Sequence, residues 1–339
     1  MTNTVVITGV TSFLGSHVAR AFAGAGYRVV GTYYTPPERM DSLRLDRWNW
    51  LQSWLAESAW LDITDAEAVH TLISTYRPRL WVHQAGIGKD FDSDRYDLAE
   101  SNRVDLLPLQ AIYAGMAEIR GAVLATGSGM AYGAVDCPHM EAAACWPQSP
   151  YGLAKLAATL RARQLAFRHR VVTRIARVYT VFGEMDSPNH LVARLFTRLR
   201  ANERIGIAPG ISRDVCDIAD LAEGYLRLAA DCVRGPLFDI FNLSRGRATP
   251  LFDLARIAAQ QLDAPPDLIV EDPAMLRPGE SPVICGDSRK AFSRLGWRAR
   301  PIEDGLARLA RKAVPGTDVV VLPRRTFSIV GGGRSDRRR

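Results

Sequence analysis

The chain has 339 residues, 47% of them hydrophobic and 23% charged, enough apolar side chain to bury a large core and too much for disorder throughout. No window approaches the roughly 18 consecutive apolar residues of a membrane span. The N-terminal MTNTVVITGV enters an apolar strand with no basic flank or cleavage site, so a soluble, unsecreted protein with no membrane partner is expected. The net charge is +7, but residues 316–339 carry six arginines against Asp318 and Asp336, which is +4 of it. The rest is nearly balanced, and nucleic acid is not an expected partner. Five cysteines, Cys137, Cys145, Cys216, Cys232 and Cys285, are an odd set without CxxC or metal-ligand spacing, which predicts reduced thiols in a cytoplasm and no metal centre.

In chain order, the first 180 residues alternate short β-branched apolar runs with segments of helical period. That is the pattern of βαβ units in an α/β, Rossmann-like doubly wound parallel sheet. Residues 5–7 read as a strand, 13–25 as a helix closed by Gly26, and 28–31 as a second strand. A helix over 65–76, a strand over 80–83, one long helix over 95–118, a strand over 122–126, a helix over 151–168 and a strand over 171–178 follow. The tryptophan-rich DRWNWLQSWLAESAW reads as a short helix over the sheet edge or as a partner surface. After about residue 181, helices over 191–200, 218–232 and 251–262 are separated by short strands and by more frequent Pro, Gly and Asn. The expected division is a dinucleotide-binding domain over 1–180, with 236–243 a candidate strand returning to its sheet. A smaller lobe follows over 181–314, then a disordered basic tail over 315–339.

Three segments carry chemistry. In Thr8 to Gly15 a strand ends at a glycine and a helix opens a few residues later, which presents backbone N–H groups and the helix dipole to a pyrophosphate. Gly9 permits the tight turn and Gly15 close packing of helix on strand, while Ser12 stands where such turns usually carry a glycine. Its hydroxyl is expected to replace part of the phosphate contact, or the cofactor to sit farther out. Tyr151 and Lys155 are four residues apart on one helix face, a spacing uncommon by chance in a chain with four lysines. An ammonium there favours phenolate over phenol and readies the tyrosine for proton exchange. Ser128 closes a predicted strand 23 residues earlier, where a hydroxyl can hold the oxygen of a reacting carbinol or carbonyl. His17, on the first helix, reads as a packing or capping residue.

With these segments in place, residues 3–312 resemble the extended short-chain dehydrogenase/reductases of the NAD-dependent epimerase/dehydratase family, which act on nucleotide-activated sugars. The family's TGxxGxxG turn is matched by Thr8 to Gly15, so the resemblance implies cofactor contacts at Gly9, Thr11, Ser12, Phe13, Leu14 and Gly15. Further contacts are implied at Asp62 and Ile63 near the adenine, at Gln84, Ala85 and Gly86 in the strand-four motif His83 to Gly86, and at Asn102. Ser128, Tyr151 and Lys155 fall on the catalytic positions: Tyr151 exchanges the hydroxyl proton, Ser128 orients the oxygen, and Lys155 grips the nicotinamide ribose. Arg213-Asp214 with Asp220 is similar to the RDFVxVxD signature, and Arg277-Pro278-Gly279, Asp287 and Leu295-Gly296-Trp297 match the C-terminal lobe. Arg213 and Arg277 are thereby implied to face the nucleotide diphosphate. Met130 is expected to shape the sugar pocket, and Thr180, another substrate-binding candidate, stands where the family commonly has an asparagine, so its substrate contacts are expected to differ.

Family dehydratases carry an Asp-Glu pair after the hydroxyl residue. Here Gly129 and Met130 stand there, which argues against dehydration. The end of the second strand, around Thr32, has no acid for an adenosine ribose and has Arg39 and Arg44 nearby, which leans the cofactor from NAD towards NADPH. The Ser-Gly-x-x-Tyr-Gly form at Ser128 to Gly133 is similar to reductases of GDP-4-keto-6-deoxymannose. The expected activity is thus reduction of an NDP-4-keto sugar. The alternatives are an NDP-sugar 4-epimerase like the UDP-galactose epimerases, with tightly held NAD, and a non-catalytic nucleotide-binding scaffold. The resemblance also implies a homodimer joined through 95–118 and 151–168.

Overall fold

The computed structural model describes residues 3–311 apart from 92, 94, 134, 278 and 279; the tail expected to be disordered lies outside the described residues. Strands β1 (Thr4–Ile7), β2 (Arg28–Tyr33), β3 (Glu57–Trp60), β4 (Leu80–His83), β5 (Ala122–Ser128) and β6 (Thr173–Val178) are parallel, and Phe238–Leu243 pairs with β6 as a seventh. The spatial order is Phe238–Leu243, β6, β5, β4, β1, β2, β3. The winding therefore reverses between β1 and β4, which opens a crevice at the strands' carboxyl ends.

Every residue of β1 and β4 is buried, because both faces of this sheet are covered and strand alternation divides the side chains between two cores. Val5 and Ile7 pack with Val18 and Phe22 of helix α1 (Phe13–Gly24) and with Leu221 and Leu228 of the helix Ile218–Asp231. Val6 faces the other way, towards Val69 and Leu72 of helix α3 (Ala66–Tyr76) and, with Val123, towards Ile112 and Leu165. A third core gathers the helices Leu191–Arg200, Leu251–Gln261 and Ile302–Arg311 around the short strands of the C-terminal part.

The tryptophan-rich segment divides into helix α2 (Ser42–Leu51), capped by the Asp41 carboxylate, and the edge strand β3. Trp50 and Trp54 lie 4.4 and 4.9 Å from the Arg20 guanidinium of α1 and Trp48 packs edge-on to Tyr33, whereas Trp60 is exposed and stacks on Tyr34.

The single helix expected over 95–118 is broken. Helix α4 (Leu98–Ser101) passes into a π turn, Asn102–Leu106, and helix α5 (Leu109–Glu118) begins after Pro108. Pro108 has no N–H to give to the carbonyl four residues back. The Leu107 N–H instead reaches the Asn102 carbonyl five residues back, at 3.0 Å, and one extra residue is accommodated. Helix α6 (Pro150–His169) opens with Ser149 as its cap, the Ser149 hydroxyl accepting from the Gly152 N–H at 3.1 Å, and with proline in its first turn, a favoured start.

Candidate active site

A cleft of about 1440 Å³ runs over the crevice between β1 and β4 and continues to the C-terminal part. At one end lies the turn from β1 to α1. Gly9 has φ +64°, and a side-chain carbon on it would sit 3.0 Å from the backbone of Ala85; Gly15 is held 2.3 Å, by the same measure, from the Gly9 carbonyl. Ser12 caps α1, its hydroxyl accepting from the Gly15 N–H at 3.0 Å. One lone pair is thereby used within the turn, and the O–H remains to donate into the cleft. Thr11, Ser12, Phe13 and Leu14 line the cleft, and Gly15 lies behind them. Thr8 has a role that the sequence did not reveal: its hydroxyl accepts from the Gln84 and Ala85 N–H groups at 2.9 Å each, tying the end of β1 to that of β4.

Thr32, Asp62 and Ile63 line the same end. The Asp62 carboxylate accepts from the Thr64 hydroxyl at 2.7 Å and the Thr64 N–H at 2.9 Å, and the hydroxyl bond above all holds its pKa below the usual range. Arg44 and Arg47 also line this end, whereas Arg39 does not. Arg47 bridges the turn, donating to the Met185 carbonyl at 2.7 Å and the Thr11 carbonyl at 3.4 Å. Beside it, His17 meets the Glu184 carbonyl at 2.8 Å and stacks edgewise on Phe13 and Trp50. Burial lowers its pKa to about 4, so it packs as a neutral ring.

Ser128, Tyr151 and Lys155 come together at the middle of the cleft. Ser128 ends β5, its hydroxyl accepting from the Met130 N–H at 3.1 Å. A side chain on Gly152 would lie 2.5 Å from the Met130 carbonyl, so only glycine lets the start of α6 close onto this segment. The Tyr151 ring stands edge-on between Phe91 at 5.6 Å and Tyr96 at 5.4 Å. One turn on, Lys155 has its ammonium 5.5 Å from the Tyr151 ring centre and 2.9 Å from the carboxylate of Asp105. Burial alone would lower the Lys155 pKa, but the Asp105 charge and hydrogen bond outweigh it and leave it raised. Asp105 was not found from sequence; its signal is Pro108, which forces the π turn. Asn102 lies behind the wall of the cleft while Arg103, Val104 and Asp105 line it.

Met130, Thr180, Arg213 and Arg277 also line the cleft, Met130 beside Ser128. The Arg213 guanidinium is held by Glu280 at 2.5 Å and by the Ser212 carbonyl at 2.8 Å. The acids of that signature brace the fold instead: Asp214 accepts from the Arg245 and Gly246 N–H groups, and Asp220 holds Arg300. Cys216 and Cys285 are buried, and burial pushes both thiols up, Cys285 to about 12, so neither is reactive. Among the described residues no group of three His, Cys, Asp or Glu could hold a metal ion, and no helix is long and apolar enough to cross a membrane.

A bare, glycine-lined turn at a helix N-terminus, joined by one cleft to a serine, tyrosine and lysine, fits a dinucleotide beside a reacting carbon. The profile of the NAD dependent epimerase/dehydratase family matches residues 5–244. The chain belongs to that family. It is an NAD(P)-dependent enzyme of the class that its relatives represent. GDP-6-deoxy-D-mannose reductase of Pseudomonas aeruginosa is 27% identical over 320 residues, covering 88% of this chain and 92% of the relative. dTDP-L-rhamnose 4-epimerase of Burkholderia thailandensis is 24% identical, covering 90% and 93%. The fold matches that of UDP-glucose 4-epimerase from Thermotoga maritima, solved with UDP-glucose, with a TM-score of 0.78 and 22% identity over 91% of this chain and 97% of that one.

Proposed function

We propose that this member of the family reduces an NDP-4-keto-6-deoxy sugar, with NADPH favoured over NADH. The observation that carries the reading is that Ser128, Tyr151 and Lys155 line one cleft with the dinucleotide turn and with Arg213 and Arg277. Gly129 and Met130, in place of an acid pair, leave no second acid and base for eliminating water. The relative named as a GDP-6-deoxymannose reductase supports the reductive direction. Thr32 near the end of β2, with no acid in that strand's end and with Arg44 in the same wall, where it pairs with Asp41, supports a phosphorylated ribose.

A nicotinamide cofactor held at the turn of Gly9 to Leu14 would supply the two electrons and the hydrogen of a hydride for the carbonyl carbon. The Ser128 hydroxyl donates to the carbonyl oxygen and holds it against Tyr151. As the carbonyl π bond opens, the Tyr151 phenol gives its proton to that oxygen, and an alcohol results. The phenolate left behind recovers a proton from solvent. Lys155 holds the ribose, and Arg213 and Arg277 neutralise the diphosphate. Residues 1–180 with Phe238–Leu243 hold the cofactor in this scheme, and the rest of 181–314 the nucleotide sugar.

The second reading, a 4-epimerase with NAD held tightly, is supported by the epimerase relative. Nucleotide released from freshly denatured protein separates the two: stoichiometric NAD supports the epimerase, and an empty site preferring NADPH to NADH the reductase. Tyr151→Phe is expected to cut turnover of GDP-4-keto-6-deoxymannose by about 10²–10⁴ with the fold intact; unchanged turnover would refute the mechanism, and failure to bind either dinucleotide would favour a scaffold.

A homodimer is part of this reading. Leu153, Leu160 and Phe167 repeat every seven residues along α6 and are about half exposed, and Leu107 on the neighbouring segment is 64% exposed, an apolar stripe suited to a second copy. All five thiols are free, which fits a reducing cytoplasm.

A further inference from the structure

The lysine of the catalytic pair is not a lone cation. Its ammonium and the Asp105 carboxylate form an ion pair at 2.9 Å with side chains only 11% and 4% exposed. The second Asp105 oxygen accepts from the Ser101 hydroxyl at 2.7 Å, and Ser101 accepts from the Tyr96 hydroxyl at 2.7 Å. The Tyr96 ring in turn stands edge-on to Tyr151, so the side chains close a circuit around the phenol. A carbon added to Gly86 would lie 2.3 Å from the Asp105 carboxylate and 3.1 Å from the Lys155 ammonium, so the backbone there walls the pair in. The π turn before Pro108 is what aims Asp105 at this spot.

An unaccompanied ammonium beside a phenol draws off its proton; a buried carboxylate 2.9 Å behind that ammonium cancels much of the pull. We propose that Asp105 is a positioning residue that holds Lys155 and, by balancing its charge, keeps Tyr151 in the protonated form that a reductase needs. This deepens the reading above and rests on it. The other groups around the pair bring little charge near neutral pH. His83 of β4 is neutral, its pKa lowered to about 4 by burial, and Tyr96 and Tyr225 are pushed up by burial. Lys89, Asp90 and His190 line the cleft around Phe91 and are the same in any Asp105 variant.

The test is Asp105→Asn, which keeps the shape and removes the charge. Phenolate absorbance is followed against pH in cofactor-free, full-length protein, with Tyr151→Phe subtracted as the reference. While Lys155 keeps its proton, losing one negative charge makes proton loss from the Tyr151 phenol easier; loss of the Lys155 proton first would move the phenolate midpoint to higher pH and would equally overturn the proposal. The midpoint, and with it the alkaline limb of keto-sugar reduction, is expected to move to lower pH by about one unit or more. Coincident midpoints in a folded variant would overturn the proposal, since a merely structural Asp105 would lower the melting temperature without moving the titration. Should the amide variant not fold, Asp105→Ser carries the same expectation. Wild-type turnover in Tyr151→Phe would instead refute the parent mechanism, whereas an inactive Tyr151→Phe with unshifted titrations would refute only the role of Asp105.

Discussion

Replacing Gly15 by alanine sets two effects of opposite sign against each other. On helix propensity alone the change is favourable by about 0.5–1 kcal/mol, because alanine loses less backbone freedom than glycine. The new methyl, however, would sit 2.3 Å from the Gly9 carbonyl and 2.7 Å from the Ser12 hydroxyl. The first is backbone in a left-handed turn and cannot swing aside; relieving it means moving α1 off β1, an overpacking cost of about 1–3 kcal/mol. Moving α1 also stretches the Ser12 cap bond, 3.0 Å now, whose loss costs about 1 kcal/mol. Sterics therefore win, with a net loss of about 1–3 kcal/mol. The same shift carries the N–H groups of the turn away from the phosphates, so dinucleotide affinity is expected to fall at least about tenfold. Thermal melts with and without cofactor, and fluorescence titration with NADPH and NADH, measure both quantities. An alanine variant that melts at or above the wild-type temperature and binds NADPH within about twofold of it would refute the argument.

Arg44→Ala is expected to weaken NADPH about 10-fold or more, the value of a lost charge-assisted hydrogen bond, and NADH much less; equal losses in paired titrations would remove Arg44 from the 2′-phosphate. Leu160→Glu puts a charge in the middle of the exposed stripe on α6 and should shift sedimentation from dimer to monomer without lowering the melting temperature. His17 is held neutral with its pKa lowered from 6.5 to about 4, so the unfolded chain binds the extra proton between those values. Stability is full above pH 6.5 and is lost as pH falls towards 4, by on the order of 3 kcal/mol from this ring. His17→Gln, which can still donate to the Glu184 carbonyl, should flatten that part of the profile in denaturant melts.

The sheet and the first turn were readable because both are set by near neighbours in sequence: β-branched runs, helical period, and a glycine wherever two backbones touch. Tyr151 and Lys155 were readable because a helix fixes where residues four apart must point. Edge strand β3 was not, since no residue of ESAW is buried and it lacks the apolar run of a covered strand. Asp105 escaped for a subtler reason. Its direction depends on a one-residue shift in hydrogen-bond register, and a helical reading of 95–118 turns every side chain after the break by about 100° from its place. The RD signature shows the opposite hazard, since Asp214 and Asp220 look like site residues and serve as internal braces.

The seventh strand bears on how the chain is made. Phe238–Leu243 pairs with all six residues of β6, yet the two segments are separated by residues that build part of the third core, among them the helix Leu191–Arg200. On a ribosome adding about 5–20 residues each second, β6 waits roughly 3–13 s for its neighbour, with a row of unpaired backbone groups along its open edge. A truncation that ends near residue 180, attractive as a stand-alone cofactor domain, would leave that edge open permanently and should aggregate.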